Sequence, residues 1–128
     1  LPAVKGVFAD SQNPKNDLEE RKLEYGKRII HLAKALPRII PNLILIDQAV
    51  RSGTSLGANY REANETETKK DFQFRMRICR KEGKETFYWL QLIIEANPDF
   101  AERIKPLLQE TTELVKIFAA IIEKTKKF

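Results

Sequence analysis

The sequence predicts an all-α protein, an antiparallel up-down four-helix bundle assembling into a ring, and three observations carry the bundle. Apolar residues recur at helical spacing in four successive segments. The breaks between those segments are short and marked by Pro or Asn. No stretch alternates apolar and polar residues as a half-buried strand would. Short connections make consecutive helices antiparallel neighbours.

Residues 1–16 are aperiodic and turn-rich (Gly6, Asp10, Ser11, Asn13, Pro14, Asn16), so they are expected to be an irregular lead or a cloning remnant, with a single domain over residues 17–128. The first helix is expected from Asp17, a cap candidate followed by Glu19 and Glu20 at the positive end of the dipole, to Leu36. Its stripe is Leu18, Tyr25, Ile29, Leu32 and Leu36. Pro37 and Pro41 bracket a short connection, and a second helix is expected over Asn42–Asn64. Ala49, Ser52, Gly53, Ser55, Gly57 and Ala58 crowd two turns of it. Each Gly there costs about 1 kcal/mol against Ala, so Gly53 and Gly57 are expected at a close helix approach, with Gly83 of the third helix as the neighbour.

The third helix is expected to start at Thr66 or Thr68, the latter with Asp71 in capping position, and to end at Asn97 and Pro98. The same pair can cap and open the fourth helix. That helix carries Ile104, Leu107, Leu108, Thr111, Leu114, Val115, Phe118, Ala119 and Ile122 on one stripe, with a bend or restart expected at Pro106.

The third helix organises the rest. Phe72, Met76, Cys79, Gly83, Phe87, Leu90 and Ile94 fall within about 40° of one line, a core seam. Phe74, Ile78, Trp89 and Leu92 fall roughly 130° away, a second seam. Between the two lie Lys70, Arg77, Arg80, Lys81 and Lys84, with Tyr88 at the end. Lys69 to Lys84 holds seven cations and two acids, an excess as large as the +5 of the whole chain, so the charge is concentrated.

A chain of 128 residues with 42% hydrophobic and 32% charged residues is an ordinary globular domain, not a disordered one. One Cys excludes an internal disulfide, and no apolar run is long enough to cross a bilayer, so a cytoplasmic protein with no membrane partner is expected.

The stretch RSGTSLGANYREA (Arg51 to Ala63), followed by KKDFQFRMRICRKEGKETFYWLQLI (Lys69 to Ile93), resembles the bacterial four-helix bundle proteins encoded within intervening sequences of 23S ribosomal RNA genes. The most specific pieces are SLGAN at Ser55 to Asn59, KDF at Lys70 to Phe72 and KEGKETFYWLQL at Lys81 to Leu92. The resemblance covers most of the chain after residue 17 and implies up-down bundles that form homopentamers without enzymatic activity. It also implies a relation to the accessory variability protein of diversity-generating retroelements, a basic pentameric barrel that works with a reverse transcriptase and RNA. Pro106 departs from the family's pattern in the last helix.

Two site readings follow. The strip Lys70, Arg77, Arg80, Lys81, Lys84 and Tyr88 is expected to bind RNA or DNA phosphates largely without sequence preference, the competing reading being a solvated face paired to Glu residues. The second seam, joined by Leu23 and Ile30 on the far side of the first helix, is expected to be an oligomer interface rather than a broad internal core. A protein-interaction scaffold, for example for a polymerase-type partner, is the alternative. The run Ser52, Gly53, Thr54, Ser55, Gly57, Asn59 lacks the spacing of a phosphate loop and reads as helix packing, with Asn59 free to cross-link helices. His31 reads as exposed and Cys79 as buried. No acid, base and nucleophile set appears, and His31 has Arg28 three residues before it instead of the Glu of a di-iron motif, so no enzyme, metal or cofactor is expected.

Overall fold

The computed structural model describes residues 14–127, with side chains from Asp17 onward. Helix α1 spans Pro14–Ala35, α2 Ile40–Asn64, α3 Lys69–Ala96 and α4 Ala101–Thr125, with a 3-10 turn at Pro98–Phe100 ahead of α4. No strand occurs among the described residues. Helix α2 packs on α1 and α3, α3 also packs on α4, and α4 returns beside α1, the antiparallel up-down bundle expected. Helices α1 and α3 therefore lie across the diagonal.

Several boundaries differ from the expectation. Helix α1 starts at Pro14, so Asp17 sits in its first turn instead of capping it; the remainder of the 1–16 lead lies outside the described residues. Helix α2 starts at Ile40 and takes Pro41 into its first turn, where a missing amide leaves no bond unmade. Thr68 caps α3, accepting the Asp71 amide at 3.1 Å, while Thr66 donates back to the Ala63 carbonyl at 2.6 Å. Asn97 makes no side-chain cap; Pro98 opens only the 3-10 turn, and α4 begins at Ala101. Helix α4 then runs unbroken through Pro106, so there is no restart.

The core joins Tyr25, Ile29 and Leu32 of α1, Leu56 and Tyr60 of α2, Met76, Cys79, Leu90 and Ile93 of α3, and Ile104, Leu114, Phe118 and Ile122 of α4. The inward line of α3 is rotated from the expected seam: Phe72, Phe87 and Ile94 are half-buried, whereas Glu82, Thr86 and Ile93 are buried. Polar contacts to α2 cause the rotation. Thr86 Oγ1 lies 2.7 Å from Ser52 Oγ and 2.8 Å from the Glu82 carbonyl, and the Glu82 carboxylate meets Arg51 at 3.3 Å.

The glycines do mark close approaches, but not to one another. A Cβ on Gly53 would sit 3.0 Å from Ile29 of α1, and one on Gly57 would sit 3.5 Å from the Cβ of Lys22, also of α1. A Cβ on Gly83 would meet Val115 of α4 at 2.7 Å, a stiff branched side chain that cannot yield cheaply. Glycine thus draws two helices onto α1 and α4 separately.

Two buried polar features fix the register. Asn42 and Asn97 exchange side-chain hydrogen bonds at 2.8 and 2.7 Å; the spare Asn42 donor reaches the Pro37 carbonyl and the spare Asn97 donor the Ile93 carbonyl, both at 2.8 Å. Every side-chain donor of the pair is used, the two carbonyls each taking a second hydrogen bond beside a backbone N–H. Between α1 and α4, Arg21 grips Glu110 through two bonds of 2.6 and 2.7 Å, and Tyr25 bonds Thr111, whose hydroxyl donates to the Leu107 carbonyl.

Lys22 is only 2% exposed. Its ammonium stands 4.0 Å from the Tyr60 ring centroid and 4.9 Å from that of Phe118, and donates to the Leu18 carbonyl at 3.4 Å. Burial lowers its pKa to about 8 from 10.5. Between those values the unfolded chain binds the proton that the folded chain has released, so stability rises with pH across that window and the cost of burying the cation is greatest below pH 8. Urea denaturation at a series of pH values is expected to show native protein gaining stability relative to Lys22→Met between about pH 8 and 10.5. A gap between the two that stays flat in pH would contradict this. Leu90, fully buried, is expected to lose about 2–5 kcal/mol on truncation to Ala in the same assay.

Candidate nucleic-acid interface

Helix α3 is flanked by α2 and α4, so only its outward strip can carry unpaired charge. Arg77, Lys81 and Lys84 are exposed there and Arg80 is half-buried. With Tyr88 and Glu85 they line one shallow, open groove. The structure thus brings together all the residues expected for nucleic-acid contact except Lys70. That residue is exposed in the first turn of α3, about 10 Å further along the axis from Arg77.

The electrostatics of the groove follow from which cations are already engaged. Arg51 holds Glu82 at 3.3 Å and Glu85 at 2.9 Å, so the one carboxylate in the groove shares a single guanidinium with a second carboxylate. The Glu85 hydrogen bond, and then the surrounding carboxylate charge, raise the Arg51 pKa further. Arg75 donates to the Asn59 side chain at 3.0 Å, and Asn59 in turn donates to Ser55, the cross-link between helices open to that residue. Among the described residues, no carboxylate lies within 4.0 Å of Lys70, Arg77, Arg80, Lys81 or Lys84. The Glu-paired alternative for this strip is therefore not what the side chains adopt.

Lys116 was not singled out in the sequence. It borders, with Lys84, a second depression lined by Phe87, Thr112 and Val115, and so extends the basic surface onto α4. It could be found only by knowing that Gly83 draws α4 against α3 at this level.

The expected oligomer seam is less uniform. Phe74 is 59% exposed, and Leu23 and Ile30 are 47% and 43% exposed. Ile78, Trp89 and Leu92 are half-buried. Trp89 leans on the core and on Tyr88, ring centroids 5.0 Å apart at 67°, and its buried indole N–H has no acceptor among the described residues. The seam is thus not a separate apolar face; Phe74 is its protruding member. Leu23 and Ile30 border a groove between α1 and α2 floored by Gly26 and Gly57, with Thr54 and Ala58 beside them. The most exposed apolar patch lies elsewhere, at the start of α2: Ile39, Ile40 (75% exposed), Leu43 and Ile44. It was missed because Pro41 placed Ile39 and Ile40 in a connection, apart from Leu43 and Ile44 of the expected helix.

His31 is exposed. Cys79 is buried, its thiol directed at the Leu56 carbonyl at 3.4 Å and its pKa pushed by burial to about 12, which leaves no thiolate for nucleophilic chemistry at neutral pH. The small-residue run Ser52 to Asn59 lies inside α2 and forms no loop. Among the described residues no group of three or more His, Cys, Asp or Glu side chains is placed to hold a metal ion, and no helix is long and apolar enough to cross a membrane.

A protein of unknown function from the S23 ribosomal protein family of Bacteroides thetaiotaomicron, known from a crystal structure, is 35% identical to this chain, with a TM-score of 0.78 over 85% of this chain and 97% of that one. No curated protein matches. The 23S rRNA-intervening sequence protein family matches residues 15–120, from the first turns of α1 almost to the end of α4. The chain belongs to the 23S rRNA-intervening sequence protein family.

Proposed function

We propose that this chain is a non-enzymatic, cytoplasmic, homo-oligomeric bundle that binds RNA or DNA through the outward strip of α3, largely without sequence preference. One observation carries the reading: four cations, Arg77, Arg80, Lys81 and Lys84, converge on an open groove with no carboxylate partner of their own among the described residues. Such a surface attracts polyanions by releasing their condensed counterions, and it offers phosphate contacts rather than base readout. Exchanging Arg77, Lys81 and Lys84 for Glu is expected to abolish retardation of RNA or DNA in a low-salt gel with helicity unchanged. Native binding should fall steeply between low and physiological salt. Undiminished retardation by the triple variant would discard this surface.

Oligomerisation is supported by the large apolar side chains left in solvent on two opposite sides of the bundle, Leu23 and Ile30 on α1 and Phe74 on α3. Contacts between unlike faces are heterologous and form a ring when the rotation between copies closes, and five copies is the number implied by the resemblance. A ring would repeat the basic strip around its circumference. Light scattering at micromolar concentration is expected to give an assembly that Phe74→Glu dissociates; a strict monomer for the native chain would refute it. The exposed aliphatics at Ile39, Ile40, Leu43 and Ile44 favour one further reading, a scaffold for another protein such as a polymerase-type partner. A partner held there would persist at salt concentrations that strip nucleic acid.

A further inference from the structure

The flanking helices keep α3 from reading a duplex through its grooves. A helix that reads duplex DNA must enter a major groove about 12 Å wide. Helix α3 cannot do so, because α2 and α4 flank it, and packed helix axes stand about 8–10 Å apart on either side. The major groove of an RNA duplex is narrower still. Three of the groove's cations, Arg77, Lys81 and Lys84, recur every three to four residues, and Tyr88 continues the same line one turn further, with Arg80 to one side. The strip measures about 16 Å from Arg77 to Tyr88. Along that line the spacing of the side chains suits successive phosphates of one strand.

Tyr88 completes the surface. It is 54% exposed at the end of the groove, an aromatic left in water beside four cations. Trp89 packs against it at 5.0 Å, so the ring is braced by its neighbour while still open to solvent. A ring in that position offers a stacking surface to any base whose phosphates follow the line of cations.

We propose that the α3 strip binds single-stranded nucleic acid, with phosphates along Arg77, Lys81 and Lys84 and an unpaired base stacked on Tyr88. This rests on the nucleic-acid reading above and adds the strandedness and the aromatic contact. The stack tolerates any base, because every base has a π face, while a duplex keeps its bases inside and offers none. Trp89, the sole Trp of the chain, reports the event, since a base arriving at Tyr88 alters the surroundings of the adjoining indole.

The test compares three labelled probes of equal length by fluorescence anisotropy: oligothymidylate, an abasic deoxyribose-phosphate oligomer, and a duplex; oligouridylate serves as the RNA arm. Tyr88→Ala is expected to weaken oligothymidylate and oligouridylate binding roughly 5- to 100-fold. Abasic affinity should be unchanged, Tyr88→Phe should bind as the native chain does, and Trp89 emission should change with the base-bearing strands alone. Circular dichroism of Tyr88→Ala guards against a folding defect. Equal affinity for duplex and single strand, or no loss in Tyr88→Ala, overturns the proposal while the phosphate reading stands, provided the Arg77, Lys81, Lys84→Glu variant still loses all probes. If the native protein binds none of them, both readings fall together.

Discussion

A charge cannot be left unpaired inside a helical bundle without a cost of several kcal/mol, and this constraint sorts the cations of the chain. The one buried cation among the described residues, Lys22, is held by the Tyr60 and Phe118 rings and the Leu18 carbonyl. Three nearer the surface reach across to another helix: Arg21 to Glu110, Arg51 to Glu82 and Glu85, and Arg75 to Asn59. What remains on α3 is the outward strip, whose cations have no structural duty. The basic surface is therefore made of the α3 cations that no cross-helix contact engages. Glu85 lies in the groove and shares the single Arg51 cation of α2 with Glu82, so the groove's excess of cations is four against a partly matched carboxylate.

The helical architecture was legible because it is local. Period, Pro and Asn breaks and the Thr68 cap located the four helices, and the small residues of α2 correctly signalled close approach. The identity of the neighbours was not legible. Gly53 and Gly57 face α1 and Gly83 faces α4, and nothing within a single helix encodes which partner lies opposite. The phase of α3 drifted for a related reason. Hydrophobicity assigns Glu82 and Thr86 to solvent, yet Arg51 and Ser52 of α2 supply partners that make their burial tolerable. Pro41 misled in the opposite direction, since a proline in the first turn of a helix looks the same in sequence as one in a loop.

The candidate surface was more readable than the apolar seam. Exposed cations on one helix keep their helical spacing in the folded protein, so Arg77, Lys81, Lys84 and Tyr88 emerge in line as expected. Trp89 and Leu92, by contrast, lie at an angle that neighbouring helices can partly cover, and coverage is a tertiary property. Family membership settles the architecture and leaves the activity to the surface, because a fold hosts many functions and the similar crystal structure is itself of a protein of unknown function.

The reciprocal amides of Asn42 and Asn97 bind together the histories of two codons far apart in the gene. A replacement at either position alone strands the other's inward donor and acceptor in a dry interior. Either single exchange is therefore costly, whereas a matched apolar pair would leave no inward amide unpaired.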